Sequence, residues 1–136
     1  MIRPIVRDVF FLSQKSSPAA REDLPLAADL RDTLQYHRDR CVGMAANMIG
    51  VRKRAIIVNV GLADIVMFNP VLIRRDTPFE AEEGCLSLDG TRKTVRYQNI
   101  EIEYQDEALK VRRQRFTGWT AQIIQHELDH LDGIII

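Results

Sequence analysis

The chain has 136 residues, 46% of them hydrophobic, and its 19 basic side chains balance 19 acidic ones for a formal net charge of +0. That length suits a single domain over residues 1–136, with enough buried surface for a core without staples. The charge balance excludes a global field for nucleic acid or an anionic membrane, no stretch approaches the ~20 apolar residues of a membrane span, and Met1-Ile2-Arg3-Pro4 lacks the apolar run of a secretory leader.

Residues 1–22 read as an irregular arm, anchored by Phe10, Phe11 and Leu12 and broken by Ser16-Ser17-Pro18. Asp23 is a candidate cap and Pro25 suits a first helical turn. Leu26, Leu30, Leu34 and His37 then recur at helical spacing, which predicts an amphipathic helix to about Arg40. His37 lies on or beside its apolar stripe and reads as a packed histidine rather than a ligand. After Gly43-Met44-Ala45-Ala46 the pattern turns β-rich. Ala55 to Val60 is a β-branched run read as a buried strand, and Ile65 to Phe68 and Val71 to Ile73 flank a turn or bulge at Asn69-Pro70. Thr94 to Tyr104 ends in alternation and pairs as a hairpin with Leu109 to Phe116. Arg112, Arg113 and Arg115 then face Glu101 and Glu103 as cross-strand partners rather than as a polyanion contact. Thr117 is the expected cap of a last helix, along which Ala121, Ile124, Leu128 and Leu131 recur. Asp132-Gly133 ends it, and Ile134 to Ile136 is predicted as a final short strand. The class is α+β, with antiparallel sheets around a central helix.

That last helix carries His126-Glu127-Leu128-Asp129-His130. Residues i and i+4 project from one helix face, so both imidazoles can close on one metal ion, and the Glu beside the first can move the proton of a metal-activated water. A hydrolytic centre needs a third ligand. Downstream only Asp132 is a candidate and it faces away, while a further His three residues past Gly133 is absent because the chain has Ile136. The upstream candidate is Cys85, in Glu82-Glu83-Gly84-Cys85-Leu86-Ser87. A thiolate with two imidazoles leaves one coordination position open. A ligand cysteine needs reducing conditions, so the expected location is the cytoplasm.

Gly43-Met44-Ala45-Ala46, Glu83-Gly84-Cys85-Leu86-Ser87 and His126-Glu127-Leu128-Asp129-His130-Leu131 together resemble, in order and separation, the three motifs of the peptide deformylases. The resemblance spans about Ile5 to Ile136. It implies the same α+β fold, and removal of formyl from the N-terminal methionine of a nascent chain or an N-formyl-methionyl peptide. It also implies one divalent ion on Cys85, His126 and His130: iron(II) first, with zinc(II) or nickel(II) as alternatives. Typical bacterial members continue into a C-terminal helix, so this chain reads as a minimal version. No nucleic-acid or membrane partner is expected, and the sequence fixes no oligomeric state.

In this reading a metal-bound hydroxide attacks and Glu127 serves as general base and then acid. By resemblance, the Leu86 N–H is one oxyanion donor, and the second is a Gln side chain closing the motif Gly-x-Gly-x-Ala-Ala-x-Gln. Here that motif reads Cys41-Val42-Gly43-Met44-Ala45-Ala46-Asn47-Met48, so Met48 occupies the Gln position without a donor, and Asn47 is the neighbouring amide that a backbone shift would have to bring in. Gly43 is expected to let substrate backbone approach, with Val42, Met44 and Leu86 lining the pocket for the residue behind the acyl group. Glu83 is expected as a structural carboxylate on an arginine, Arg96 being the candidate. Asp129 either orients a ligand imidazole or forms an ion pair. Two other functions stay open: a deacylase acting on another N-acyl group, such as acyl-lysine or a small amide, and a catalytically impaired binding module.

Overall fold

The computed structural model describes residues 1–136 throughout. A short helix α1 (Val9–Leu12) and a 3-10 turn (Arg21–Asp23) precede helix α2 (Leu26–Tyr36). Strand β1 (Gly43–Ala45) runs into a second 3-10 turn (Ala46–Ile49), followed by β2 (Ala55–Asn59), β3 (Asp64–Cys85), β4 (Leu88–Gln105), β5 (Val111–Thr117) and helix α3 (Gly118–Leu131). The fold is α+β. The strands form one antiparallel sheet in the order β1-β2-β3-β4-β5, rather than the several sheets expected. Both α2 and α3 pack on β2, which is why Ala55, Ile56, Ile57 and Val58 are all fully buried. One core cluster of 25 residues joins these helices to the sheet.

The two short strands expected around Asn69-Pro70 are one long strand. Asn69 adopts φ 51°, and the β3–β4 register shifts between Phe68 and Val71. Asn tolerates this left-handed backbone. Its side chain also accepts from Ala19 N–H at 2.8 Å and donates to the Gln105 amide oxygen at 2.7 Å, so the chain bulges and continues. The hairpin closes at Leu86-Ser87, which leaves Cys85 as the last residue of β3, paired with Leu88. Glu103 opposes Arg113 and Glu101 opposes Arg115, as expected, whereas Arg112 lies opposite Tyr104 and donates to Asp106 at 2.7 Å.

Several boundaries differ from expectation. Helix α2 stops at Tyr36, with half-buried His37 as its C-cap. Asp23 caps the preceding 3-10 turn, accepting from Ala20 N–H at 2.8 Å, and Pro25 stands at the N-cap of α2. Of the arm's anchor only Leu12 is fully buried, while Phe10 is exposed. Ile134–Ile136 form no strand; the 118–131 helix is followed by a turn and irregular chain. The arm itself is tied down, with Val6 N–H donating to the Met48 carbonyl at 2.8 Å and Ser16 N–H to the Leu131 carbonyl at 2.9 Å.

Candidate metal centre and active-site cleft

Helix α3 is buried along almost its whole length, because it runs between β1, β2 and β4. Gly43 allows the close approach. A Cβ there would lie 2.6 Å from Ile123 Cγ2 and 3.0 Å from Glu127 Oε2, so any larger residue would push α3 away from β1.

The helix and the end of β3 bring Cys85, His126 and His130 together. His126 Nε2 and His130 Nε2 are 3.0 Å apart, and Cys85 Sγ is 3.3 Å from His130 Nε2. All three ligand atoms lie within 4.8 Å of one another. Bonds of ~2.0–2.3 Å from nitrogen and sulfur to one ion fit that spacing. The donor set, one thiol and two imidazoles with their Nε2 atoms turned inward, is that of a divalent metal site with an open position. Buried Glu127 lines the same cleft, and its Oε1 has no partner within the protein.

His126 is fixed from behind by Glu83, not by Asp129. His126 Nδ1 is 2.9 Å from Glu83 Oε1, which directs its Nε2 lone pair toward Cys85 and His130. Arg96 donates to Glu83 from Nη2 at 2.7 Å and from Nε at 2.9 Å, and Gln122 Nε2 donates to it at 2.9 Å. The same guanidinium reaches Asp129 Oδ2 at 2.7 Å. Of the two roles open to Asp129, the structure shows the ion pair. The expected Glu83–Arg96 pair is present, but Glu83 also holds the imidazole.

These neighbours make the centre favourable for positive charge. Burial alone would lower the His126 pKa, but hydrogen bonds to Cys85 and Glu83, with Glu127 nearby, push it up to about 10. Burial also opposes ionisation of Glu83, yet its bonds to His126, Arg96 and Gln122 hold it at about 2. The groups that favour a proton on His126 favour a metal cation in its place. His130 is pushed down to about 3 by burial and by His126. Burial pushes Glu127 up to about 7, where a carboxyl can both take and return a proton near neutrality.

The cleft in front of this centre measures about 400 Å³ and is lined in part by Cys41, Val42, Gly43, Met48 and Leu86. Met44 is a correction: strand alternation turns it away from Gly43 into the core, where it is fully buried, and it does not line the cleft. The Leu86 N–H makes no hydrogen bond within the protein. Met48 stands in the cleft wall, and its sulfur accepts from Ala45 N–H at 3.4 Å. Asn47 points elsewhere, donating from Nδ2 to the His130 carbonyl at 2.9 Å, so it supplies no donor to the cleft. The Cys41 thiol donates to the Gly43 carbonyl at 2.8 Å, and burial pushes its pKa up to about 12. Sequence reading did not name Trp119, Gln122 and Ile123, which also line the cleft. Helical spacing pointed to them: they precede His126 by seven, four and three residues and share its face.

A cysteine–bis-histidine donor set with a buried carboxyl beside it, set between a sheet and its helix, is that of a metal-dependent hydrolase. The polypeptide deformylase family model matches residues 4–136. A peptide deformylase from Clostridium beijerinckii is 52% identical over 136 residues, covering all of both chains. Among solved structures, a class I type b peptide deformylase from Acinetobacter baumannii superposes with a TM-score of 0.90 at 29% identity, covering 99% of this chain and 97% of the other. The Thermotoga maritima peptide deformylase gives a TM-score of 0.87 at 30% identity, with 99% and 94% covered. The chain belongs to the peptide deformylase family.

Proposed function

We propose that residues 1–136 act as one catalytic unit that removes the N-formyl group from the N-terminal methionine of nascent polypeptides, with Cys85, His126 and His130 as the metal ligands and Glu127 as the general base. The observation that carries this assignment is the convergence of the three inward-facing ligand atoms within 4.8 Å, beside the buried, unpartnered Glu127 Oε1. An Acinetobacter baumannii relative with a TM-score of 0.88 was solved with Met-Ala-Ser bound, the peptide left when a formyl-Met-Ala-Ser substrate is deformylated.

Held by Cys85, His126 and His130, a divalent ion would supply Lewis acidity toward the attacking water and the formyl carbonyl. Iron(II) is our first choice because a thiolate ligand suits it, with zinc(II) or nickel(II) as substitutes. Glu127 accepts the proton of the attacking water and returns it to the departing amine. The Leu86 N–H donates to the oxyanion. Met48 offers no second donor, so shape and backbone must do more at the acyl end. Gly43 keeps α3 and Glu127 close to β1, and Val42 and Leu86 border the space for the methionine side chain. Glu83 and Arg96 hold His126 in its ligating orientation. No helix is long and apolar enough to cross a membrane, and free Cys85 suits a reducing cytoplasm.

Met48 also motivates a second reading, in which the reshaped acyl end favours another N-acyl group. Anaerobically prepared, iron-loaded protein assayed on formyl-, acetyl- and longer acyl-Met peptides and on acyl-lysine peptides separates the two. Preference for formyl-Met supports the first reading, and preference for any other acyl group replaces it with the second.

A further inference from the structure

Behind the metal ligands, the N-terminal arm and the second 3-10 turn grip the end of α3 at two consecutive carbonyls. Asn47 Nδ2 donates to the His130 carbonyl at 2.9 Å, and Ser16 N–H donates to the Leu131 carbonyl at 2.9 Å. Around these bonds, three buried polar atoms have no partner within the protein: Ser16 Oγ, Asn47 Oδ1 and His130 Nδ1. Asn47 and His130 are fully buried and Ser16 nearly so. Leaving a buried polar atom unpaired is costly, and these three belong to residues that the two bonds hold at the same end of α3. Their chemistry is complementary: a ring N–H donates, an amide oxygen accepts, and a hydroxyl does either. A buried water typically makes ~3 hydrogen bonds to such groups.

We infer that one buried water joins His130 Nδ1, Asn47 Oδ1 and Ser16 Oγ, and that Asn47 and Ser16 are thereby positioning residues for His130. The inference rests on the reading of His130 as a metal ligand. The water accepts from the Nδ1–H and fixes the tautomer whose Nε2 lone pair faces Cys85 and His126. His126 receives this orientation directly from a carboxylate, whereas His130 receives it through a neutral relay. The relay also ties the metal site to the N-terminal arm, since Ser16 belongs to residues that pack against the turn after α3. A Cβ on Gly133 would lie 2.4 Å from the Ser13 carbonyl oxygen, which shows how closely the two segments meet.

The test is a high-resolution crystal structure of the zinc-loaded protein, with zinc affinities of variants measured by chelator competition and the geometry of the centre read from the visible spectrum of the cobalt(II) form. The expected structure has one solvent peak within hydrogen-bonding distance of all three atoms. No solvent there, or a protein acceptor on His130 Nδ1, overturns the inference. Asn47→Leu should weaken zinc binding ~10–100-fold and shift the cobalt(II) bands, the range seen when a ligand's outer partner is removed. Ser16→Ala should shift both in the same direction by less, and it carries the test if Asn47→Leu fails to fold. Folded variants with unchanged affinity and spectrum overturn the inference. His130→Ala separates the two levels: unchanged zinc affinity there sinks the ligand reading itself, whereas a large loss there beside silent Asn47 and Ser16 variants sinks only the relay.

Discussion

The two ends of the cleft are built differently. At the metal end His126 rests on Glu83, Glu83 is held by Arg96 and Gln122, and Arg96 is locked in turn by Asp129. At the acyl end the structure offers one unpartnered N–H on Leu86, a methionine sulfur committed to Ala45, and a thiol committed to Gly43. In the proposed function, ion placement is therefore over-determined, while recognition of the acyl group depends on backbone and shape. The contrast teaches that a hydrolytic centre can keep its metal geometry while the groups facing the substrate oxygen change.

Breaking the metal end should have the largest effect. His126→Ala should leave a protein that retains no stoichiometric metal after desalting, with hydrolysis of formyl-Met peptides at background; metal analysis beside turnover checks both. Completing the acyl end is the converse experiment. In Met48→Gln the new Oε1 can accept from Ala45 N–H as the sulfur does, leaving the amide N–H₂ for the oxyanion. Because losing one such donor costs ~10²–10³ in turnover, kcat should rise by up to ~10²-fold with KM little changed. No gain in kcat would mean that the acyl end already has its donors.

Weakening the support rather than the ligands should do less. Glu83→Gln should lower metal affinity ~10–100-fold and flatten the acid dependence of stability. The sign follows from a folded pKa of about 2 against an ordinary 4.5. The stabilisation is present above pH 4.5 and is lost as pH falls toward 2. Urea titrations of chelator-treated wild type and variant between those limits measure it, and parallel curves would contradict it. The smallest effect is expected from Gly43→Ala. The 2.6 Å approach to Ile123 should cost about 1–3 kcal/mol by overpacking, read as a lower urea midpoint with kcat reduced because Glu127 is displaced.

The sequence made the metal end legible because its geometry is local. His126 and His130 are one helical turn apart, and Cys85 is the one upstream thiol in a Glu-Gly-Cys turn. The α+β class followed from alternation in Thr94 to Tyr104 and helical spacing after Thr117. What depended on tertiary contact was harder to read. Asn69-Pro70 looked like a break, and only its bonds to Ala19 and Gln105 show why the strand bulges and continues. Met44 read as pocket-lining because its motif is functional, but alternation puts its side chain in the core. Asp129 read as a candidate for orienting an imidazole and Glu83 only as an arginine partner, whereas the β3–β4 register, which pairs Phe79 with Arg96, lets Arg96 hold both carboxylates and leaves the imidazole to Glu83. Asn47 read as a possible donor to the cleft, whereas packing turns its amide to the end of α3.

The most direct measurement is anaerobic turnover of a formyl-Met peptide by iron-loaded wild type against equally metal-loaded Glu127→Ala. If Cys85, His126 and His130 hold the ion beside a working carboxylate, the variant keeps its metal and loses ~10²–10⁴ in kcat. Equal rates in the two proteins, or no turnover by fully loaded wild type, would contradict that account.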